Sequence, residues 1–333
     1  MIARMKRALV TGAPGFVGAH IVHQLLERGV QVRGLARPGE DLRNLEGADI
    51  QIVEGDVRDR EAMRAAVAEV DTVFHAAAIY EAYSRDPGRM YDVNLRGTFH
   101  VLEACRRAEV EKVVYTASIA ALGRPAPGAI ADEQTAYEAW DLDFAYSRSK
   151  YFSKRTAEDF AAWGLDVRIV CPGIVFGPGD RVPTPSGRLI LSLAAGEAPG
   201  YTDGGASYVD VRDAAAGHLA AAERGKAGES YIVTGHNLSN RDFLHVVCRV
   251  AGLRKRSLKI PAPLARAYVR VRESMAVRRD ETPSLASAFF EYGARDCFYD
   301  NAKAVRELGV SFRPIDETVA DALEWFRAEG RLQ

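Results

Sequence analysis

Ser118, Tyr146 and Lys150 are the residues whose types and spacing point to chemistry; they stand in the stretches YTASIAALG and FAYSRSK. Tyr146 and Lys150 are four residues apart, so on a helix the phenol and the ammonium share one face, one turn from each other. A neighbouring cation favours the phenolate and lowers a tyrosine pKa from about 10 by roughly 1 to 3 units. Tyr146 is then expected to exchange a proton near neutral pH as a general acid or base. A serine on an adjacent loop can donate a hydrogen bond to the same substrate oxygen and hold its developing charge.

The elements that must position these groups are legible in order. The short apolar run RALVT ends in TGAPGFVG, and AHIVHQLLERG then has helical spacing up to Gly29: strand, glycine turn, helix. Gly12, Gly15 and Gly18 let backbone approach a pyrophosphate at a helix N-terminus, with Phe16 and Val17 inside the same turn. The second strand, VQVRGLA, ends at Ala36 and Arg37 with no acidic residue in that place. A guanidinium suits a 2′-phosphate, so NADP(H) is favoured and NAD(H) is the alternative. The bland reading of Arg37 is a solvated arginine near Arg33 or Arg43.

Further strand and helix units follow: DIQIVEGDVRD with Asp56 at its end, REAMRAAVAEV, and DTVFHAAA, whose Ala76, Ala77 and Ala78 leave room for a flat ligand. Repeats of this kind imply a parallel sheet with right-handed crossovers. A long helix is expected from about Asp86 to Ala108. Asn94 in its middle is either a structural bracket or part of a proton path. EKVVYTASIA delivers Ser118 at a strand end, and the helix carrying Tyr146 and Lys150 is expected to start near Phe144.

The expected fold is α/β, a Rossmann-type doubly wound parallel sheet with a smaller, mainly C-terminal substrate-binding lobe. The nucleotide domain is placed at 1–173, with a segment near 207–235 packing back on it; 174–206 and 236–333 form the lobe. Arg188, Tyr80, Tyr83 and Tyr201 are the candidate substrate contacts.

The 44 basic and 45 acidic residues nearly cancel, so no global field points to nucleic acid, and a small-molecule partner is expected. The four cysteines form no C-x-x-C pair, and neither a disulfide framework nor a metal site is expected. The apolar run at the N-terminus is broken by Gly12, Pro14 and Gly15, and no apolar run approaches about 18 residues. A cytoplasmic location is the expectation. In the arginine-rich helix, Leu264, Tyr268, Val271 and Met275 form a stripe beside Arg266, Arg270, Arg278 and Arg279. It is expected to be a solvated face over the lobe rather than a membrane contact.

Taken together, TGAPGFVG, EGDVRD, HAAA, DVNLRGT, YTASIAALG, YSRSK and CPGIVFGP resemble the extended short-chain dehydrogenase/reductase family over essentially the whole chain. The chain is most similar to its dihydroflavonol-4-reductase-like branch and to bacterial proteins labelled hopanoid-associated sugar epimerases. The resemblance implies that Ser118 orients a carbonyl, Tyr146 passes the proton, and Lys150 lowers the tyrosine pKa and holds the nicotinamide ribose. It implies that Asp56 and Val57 contact the adenine, Ala76 to Ala78 line the cofactor, Pro172 abuts the nicotinamide and Asn94 helps order the site. It also admits a homodimer through the helices beginning near Asp86 and Phe144.

Two departures bear on the reaction. Dehydratases of the family follow the strand-end residue with an acidic pair, and here Ile119 and Ala120 stand there. Nucleotide-sugar epimerases carry an arginine where GGASYVD has Ala206; only Arg188 or Arg212 would substitute. The first expectation is therefore an NADPH-dependent reductase of a ketone or aldehyde. A nucleotide-sugar epimerase is the second, separated from the first by showing no net consumption of NADPH. A non-catalytic NADP-binding redox sensor is the third, marked by tight NADP binding without turnover.

Overall fold

The computed structural model describes residues 5–138, 144–198, 200–253, 258–281, 283 and 286–332. Strand and helix alternate through β1 (Arg7–Thr11), α1 (Phe16–Glu27), β2 (Gln31–Ala36), β3 (Gln51–Glu54), α2 (Arg60–Ala66), β4 (Thr72–His75), α3 (Pro87–Tyr91), α4 (Thr98–Arg107), β5 (Lys112–Thr116), α5 (Ala145–Ala162) and β6 (Val167–Pro172). Then come β7 (Ile174–Phe176), α6 (Pro185–Ala194), β8 (Gly200–Tyr201), β9 (Gly205–Asp210), α7 (Val211–Arg224), β10 (Ser230–Val233), β11 (His236–Ser239) and α8 (Asn240–Val250). The remainder is β12 (Leu258–Lys259), α9 (Ala262–Arg278), α10 (Ser287–Gly293), β13 (Asp296–Cys297), α11 (Ala302–Leu308) and α12 (Ile315–Ala328).

Seven strands form a parallel sheet in the order β10-β6-β5-β4-β1-β2-β3. The winding reverses between β1 and β4, so the crevice beyond their carboxyl ends is where an open α/β sheet takes its ligand. Apolar residues fill both faces, as a parallel sheet requires. Leu9, Val73, Val113 and Ile169 pack with α2, α4 and α5, while Ala8, Val10, Phe74 and Val170 pack with α1, α7 and α11. β10 is an edge strand of this sheet, and β9 belongs to a second sheet with β7, β11 and β13. That second sheet carries an aromatic core in which Tyr208 and Phe243 stack with centroids 4.2 Å apart.

The helix expected from Asp86 to Ala108 changes its winding in the middle. The Asp86 carboxylate accepts from the Arg89 N–H at 3.3 Å and starts α3, but Asp92–Gly97 form a π-helical turn before α4 begins. Such a turn carries one residue more than an α-turn and leaves local backbone groups free for other partners. Asn94 lies within it.

Candidate active site

The turn after β1 is built by glycines that no other residue can replace. Gly12 has φ +68°, and a Cβ on it would stand 2.9 Å from Ala77 Cα; a Cβ on Gly18 would stand 2.0 Å from the Gly12 carbonyl oxygen. Gly15 precedes α1, whose first N–H groups have no side-chain cap. Free N–H groups at a helix N-terminus are a site for phosphate oxygens, so these residues fit the pyrophosphate of a dinucleotide. Replacing Gly18 with alanine is expected to spread the turn and raise the nucleotide Kd about tenfold or more, near 1.4 kcal/mol, in calorimetric titration.

From this turn one cavity runs past Ala76 and Ala78 to Ser118, Tyr146, Lys150 and Pro172, with Phe16 and Val17 also in its wall. Ser118 follows β5 in extended backbone and caps a short 3-10 turn, its Oγ accepting from Ala120 N–H at 3.1 Å. The serine proton is thereby left to donate elsewhere. Tyr146 and Lys150 lie on the first turns of α5, and Ser147 between them donates to the Ala120 carbonyl at 2.6 Å. That bond ties the tyrosine helix to the serine turn.

Asn94 fixes the opposite side. Its Oδ1 accepts from Ile79 N–H at 2.7 Å, while its Nδ2 donates to the Ile79 carbonyl at 3.0 Å and to Ser149 Oγ at 2.9 Å. Ser153 Oγ donates to the Asn94 carbonyl at 2.8 Å. The amide therefore brackets the chain after β4 against α5, and the buried serines of α5 are its counterparts. Behind it, His75 bridges Thr11 at 2.7 Å and Thr98 at 3.0 Å, and burial keeps its pKa near 3.

The electrostatics of the pair differ from the expectation drawn from their spacing. Burial pushes the Tyr146 phenol up to about 12, with the hydrogen bond from Ser118 pulling the other way. Lys150 is not among the groups that act on it; burial lowers Lys150 itself to about 8, and its ammonium donates to the Thr116 carbonyl at 2.8 Å. The physical reason is the aromatic enclosure, in which Tyr80 lies 4.7 Å and Phe144 5.8 Å from the Tyr146 ring. Desolvation of the phenolate outweighs the lowering by the Ser118 hydrogen bond.

The remaining sequence-derived candidates divide. Tyr80 lines the cavity; Tyr83, Arg188 and Tyr201 are not among its lining residues. Arg188 donates to the Pro183 carbonyl at 2.5 Å from the exposed side of α6. Tyr201 sits on the two-residue strand β8 and packs on the core of the lobe, and Tyr83 is half-buried in the loop before α3. Ala77 backs the Gly12 turn from outside the cavity. Asp56 pairs with Arg58 at 2.7 Å, Val57 is buried, and Arg37 pairs with Glu40 at 2.9 Å. All three stand by the carboxyl ends of β2 and β3, apart from the cavity around Tyr146.

Sequence reasoning missed Phe144, Thr184, Ser186, Phe289 and Tyr292, all of which line the cavity. The run SAFFEYG held a signal, since Phe289 and Tyr292 are three apart on α10 and share a face.

A family model described as the NAD dependent epimerase/dehydratase family matches residues 8–234. A putative dihydroflavonol 4-reductase from Synechocystis is 36% identical over 97% of this chain and 95% of its own length. Sterol demethylase protein B from Methylococcus capsulatus is 33% identical over 97% of this chain and 99% of its own. The solved structure of a nucleoside-diphosphate-sugar epimerase from Pseudomonas aeruginosa is 27% identical, covers 98% of this chain and 99% of its own, and superposes with a TM-score of 0.81.

Proposed function

Because the chain belongs to the NAD dependent epimerase/dehydratase family, whose members act on CH–OH and C=O groups with a nicotinamide dinucleotide, we propose that it is an NADPH-dependent reductase of an apolar ketone or aldehyde. One observation carries this reading: of the described residues lining the cavity, Lys150 alone is charged. A nucleotide-sugar substrate brings a diphosphate that needs a cation as its desolvation partner. The candidates that the sequence offered for that task, Arg188 and Arg212, are engaged elsewhere. Ala206 is buried in β9, and Arg212 is held by Asp210 at 2.6 Å and Asp321 at 2.7 Å. In contrast, Tyr80, Phe144, Phe289 and Tyr292 suit an apolar ring system, and the relatives' names carry two of these, a dihydroflavonol and a sterol.

NADPH, when bound, supplies the hydride. The protein's part is placement and proton handling. Tyr146, kept protonated by its burial, donates its proton to the carbonyl oxygen. Ser118 hydrogen-bonds the same oxygen and steadies its negative charge as it develops. Lys150, one turn further along α5, brings a positive charge to the cavity, and Asn94 holds α5 and the chain after β4 in register. Ile119 and Ala120 supply no acid for dehydration.

The test is an NADPH-oxidation screen over aromatic ketones, hydroxyketones, steroids and nucleotide sugars. Stoichiometric loss of nicotinamide absorbance with an apolar ketone is the expected result. Conversion of a nucleotide sugar without net absorbance change would instead establish epimerisation, which the structural likeness to a nucleoside-diphosphate-sugar epimerase favours.

The choice of NADP rests on Arg37, whose guanidinium would exchange Glu40 for a 2′-phosphate. Arg37→Glu is expected to raise KM for NADPH about tenfold to a hundredfold and leave that for NADH within about threefold. A lower KM for NADH than for NADPH in the unaltered protein would overturn the preference.

A further inference from the structure

The apolar stripe of α9 faces outward. Of this helix only Val269 is buried, while Leu264, Tyr268, Val271 and Met275 are 65%, 55%, 58% and 44% exposed. Their spacing of four, three and four residues aligns them along one side. The other side is fastened to α10: Arg266 pairs with Glu291 at 3.0 Å, and Glu273 accepts from Ser287 N–H at 3.3 Å. The stripe's direction is therefore fixed by contacts on the opposite face. A solvated face would turn its arginines outward and its apolar residues in; here both are outward, the apolar residues between the arginines. An exposed apolar line of this length needs a covering surface.

Charge selects the occupant. Arg272 and Arg279 flank the stripe on one side and Arg278 on the other, all exposed and without an ion-pair partner among the described residues. A second copy of this chain, docked by a two-fold axis, would lay the stripe on its own image and bring these arginine rims together at like charge. An anionic bilayer surface has no such conflict. It offers acyl chains to the stripe, phosphates to the arginines and the headgroup zone to Tyr268.

We propose that α9 seats the protein on anionic lipid surfaces. Among the described residues no helix is long and apolar enough to cross a membrane, so the contact is interfacial. This proposal replaces the solvated-face expectation for this helix. α9 packs on α10, whose Phe289 and Tyr292 line the cavity, so the substrate chamber stands one helix away from the lipid. Uptake of a lipid-dissolved ketone by that route rests on the reductase reading; the docking itself does not.

The experiment therefore needs no substrate. The full chain is sedimented at low salt with vesicles of phosphatidylcholine alone and of phosphatidylcholine mixed with phosphatidylglycerol. The mixed vesicles are expected to bring down about tenfold more protein, with release as salt is raised. Leu264→Ser combined with Val271→Ser, and separately Arg272→Glu combined with Arg279→Glu, are each expected to lower the bound fraction about tenfold. Unchanged melting temperature and circular dichroism certify that both variants fold. Absence of sedimentation with either vesicle overturns the proposal, as does binding that neither variant alters. Loss of a dimer on serine substitution, without lipid binding, would assign the stripe to a second copy.

Discussion

Tyr146→Phe is expected to lower kcat for carbonyl reduction by about 10²- to 10⁴-fold, the usual worth of a positioned general acid, while nucleotide affinity stays within about twofold. The substitution removes one hydroxyl from a ring that otherwise keeps its packing against Tyr80 and Phe144. Stopped-flow measurement of NADPH oxidation, with calorimetry for the binding step, separates the two effects. Unchanged turnover would remove Tyr146 from the reaction. The pH dependence has a definite sign. Tyr146, raised to about 12, carries its proton across the whole working range, whereas Lys150, lowered to about 8, loses its charge above that pH. Reduction should therefore be level below about pH 8 and decline above it, and a profile that rises through pH 8 would contradict the assignment.

Lys150→Met is the second large effect, and activity and stability should move in different directions. The one charge among the described residues lining the cavity disappears, so kcat/KM is expected to fall about 10²-fold or more. Yet Lys150 is fully enclosed and its ammonium is disfavoured there relative to water, as its fall from 10.5 to about 8 records. That difference corresponds to about 3 kcal/mol against the fold while the unfolded chain keeps the proton. The penalty is complete below about pH 8 and fades as pH rises towards the unfolded value, because over that window the unfolded chain binds the extra proton. An apolar side chain of similar length lifts it at neutral pH, partly offset by the lost bond to the Thr116 carbonyl. Differential scanning calorimetry at pH 7 should show a melting temperature equal to or above that of the unaltered protein. A clear fall would mean that Lys150 is kept for structure and not for chemistry.

The parts of the site that were legible in the sequence are those set by short-range patterns. The glycine turn, the strand-end Ser118 and the Tyr146/Lys150 spacing each lie within one element and its boundary, where periodicity and steric demand act over a few residues. The cavity's far wall was not legible, since Phe289 and Tyr292 join the cavity of Tyr146 only after the lobe folds over the sheet. Local composition says nothing of such contacts. Arg188 and Tyr201 stand outside the cavity lining for the converse reason: their neighbours in sequence looked like pocket loops, but one lies on the exposed side of α6 and the other packs on the core of the lobe. The upward shift of Tyr146 belongs with these, because spacing reveals the cation one turn away and not the aromatic rings that enclose the phenol.

The π-helical turn at Asp92–Gly97 also bears on how this active site tolerates changes in chain length. Such a turn is an α-helix with one residue added, so deleting a single residue there would close it into regular winding. α4 would keep its place against the sheet, since the surplus residue is the one removed. Asn94 would not keep its own, because the amide reaches both Ile79 and Ser149 from the widened backbone. One codon in this segment thus separates a framework that still folds from one that no longer brackets the chain after β4 against the helix of Tyr146, and length variation at this point of the chain should be selected against more strictly than in the surface loops around it.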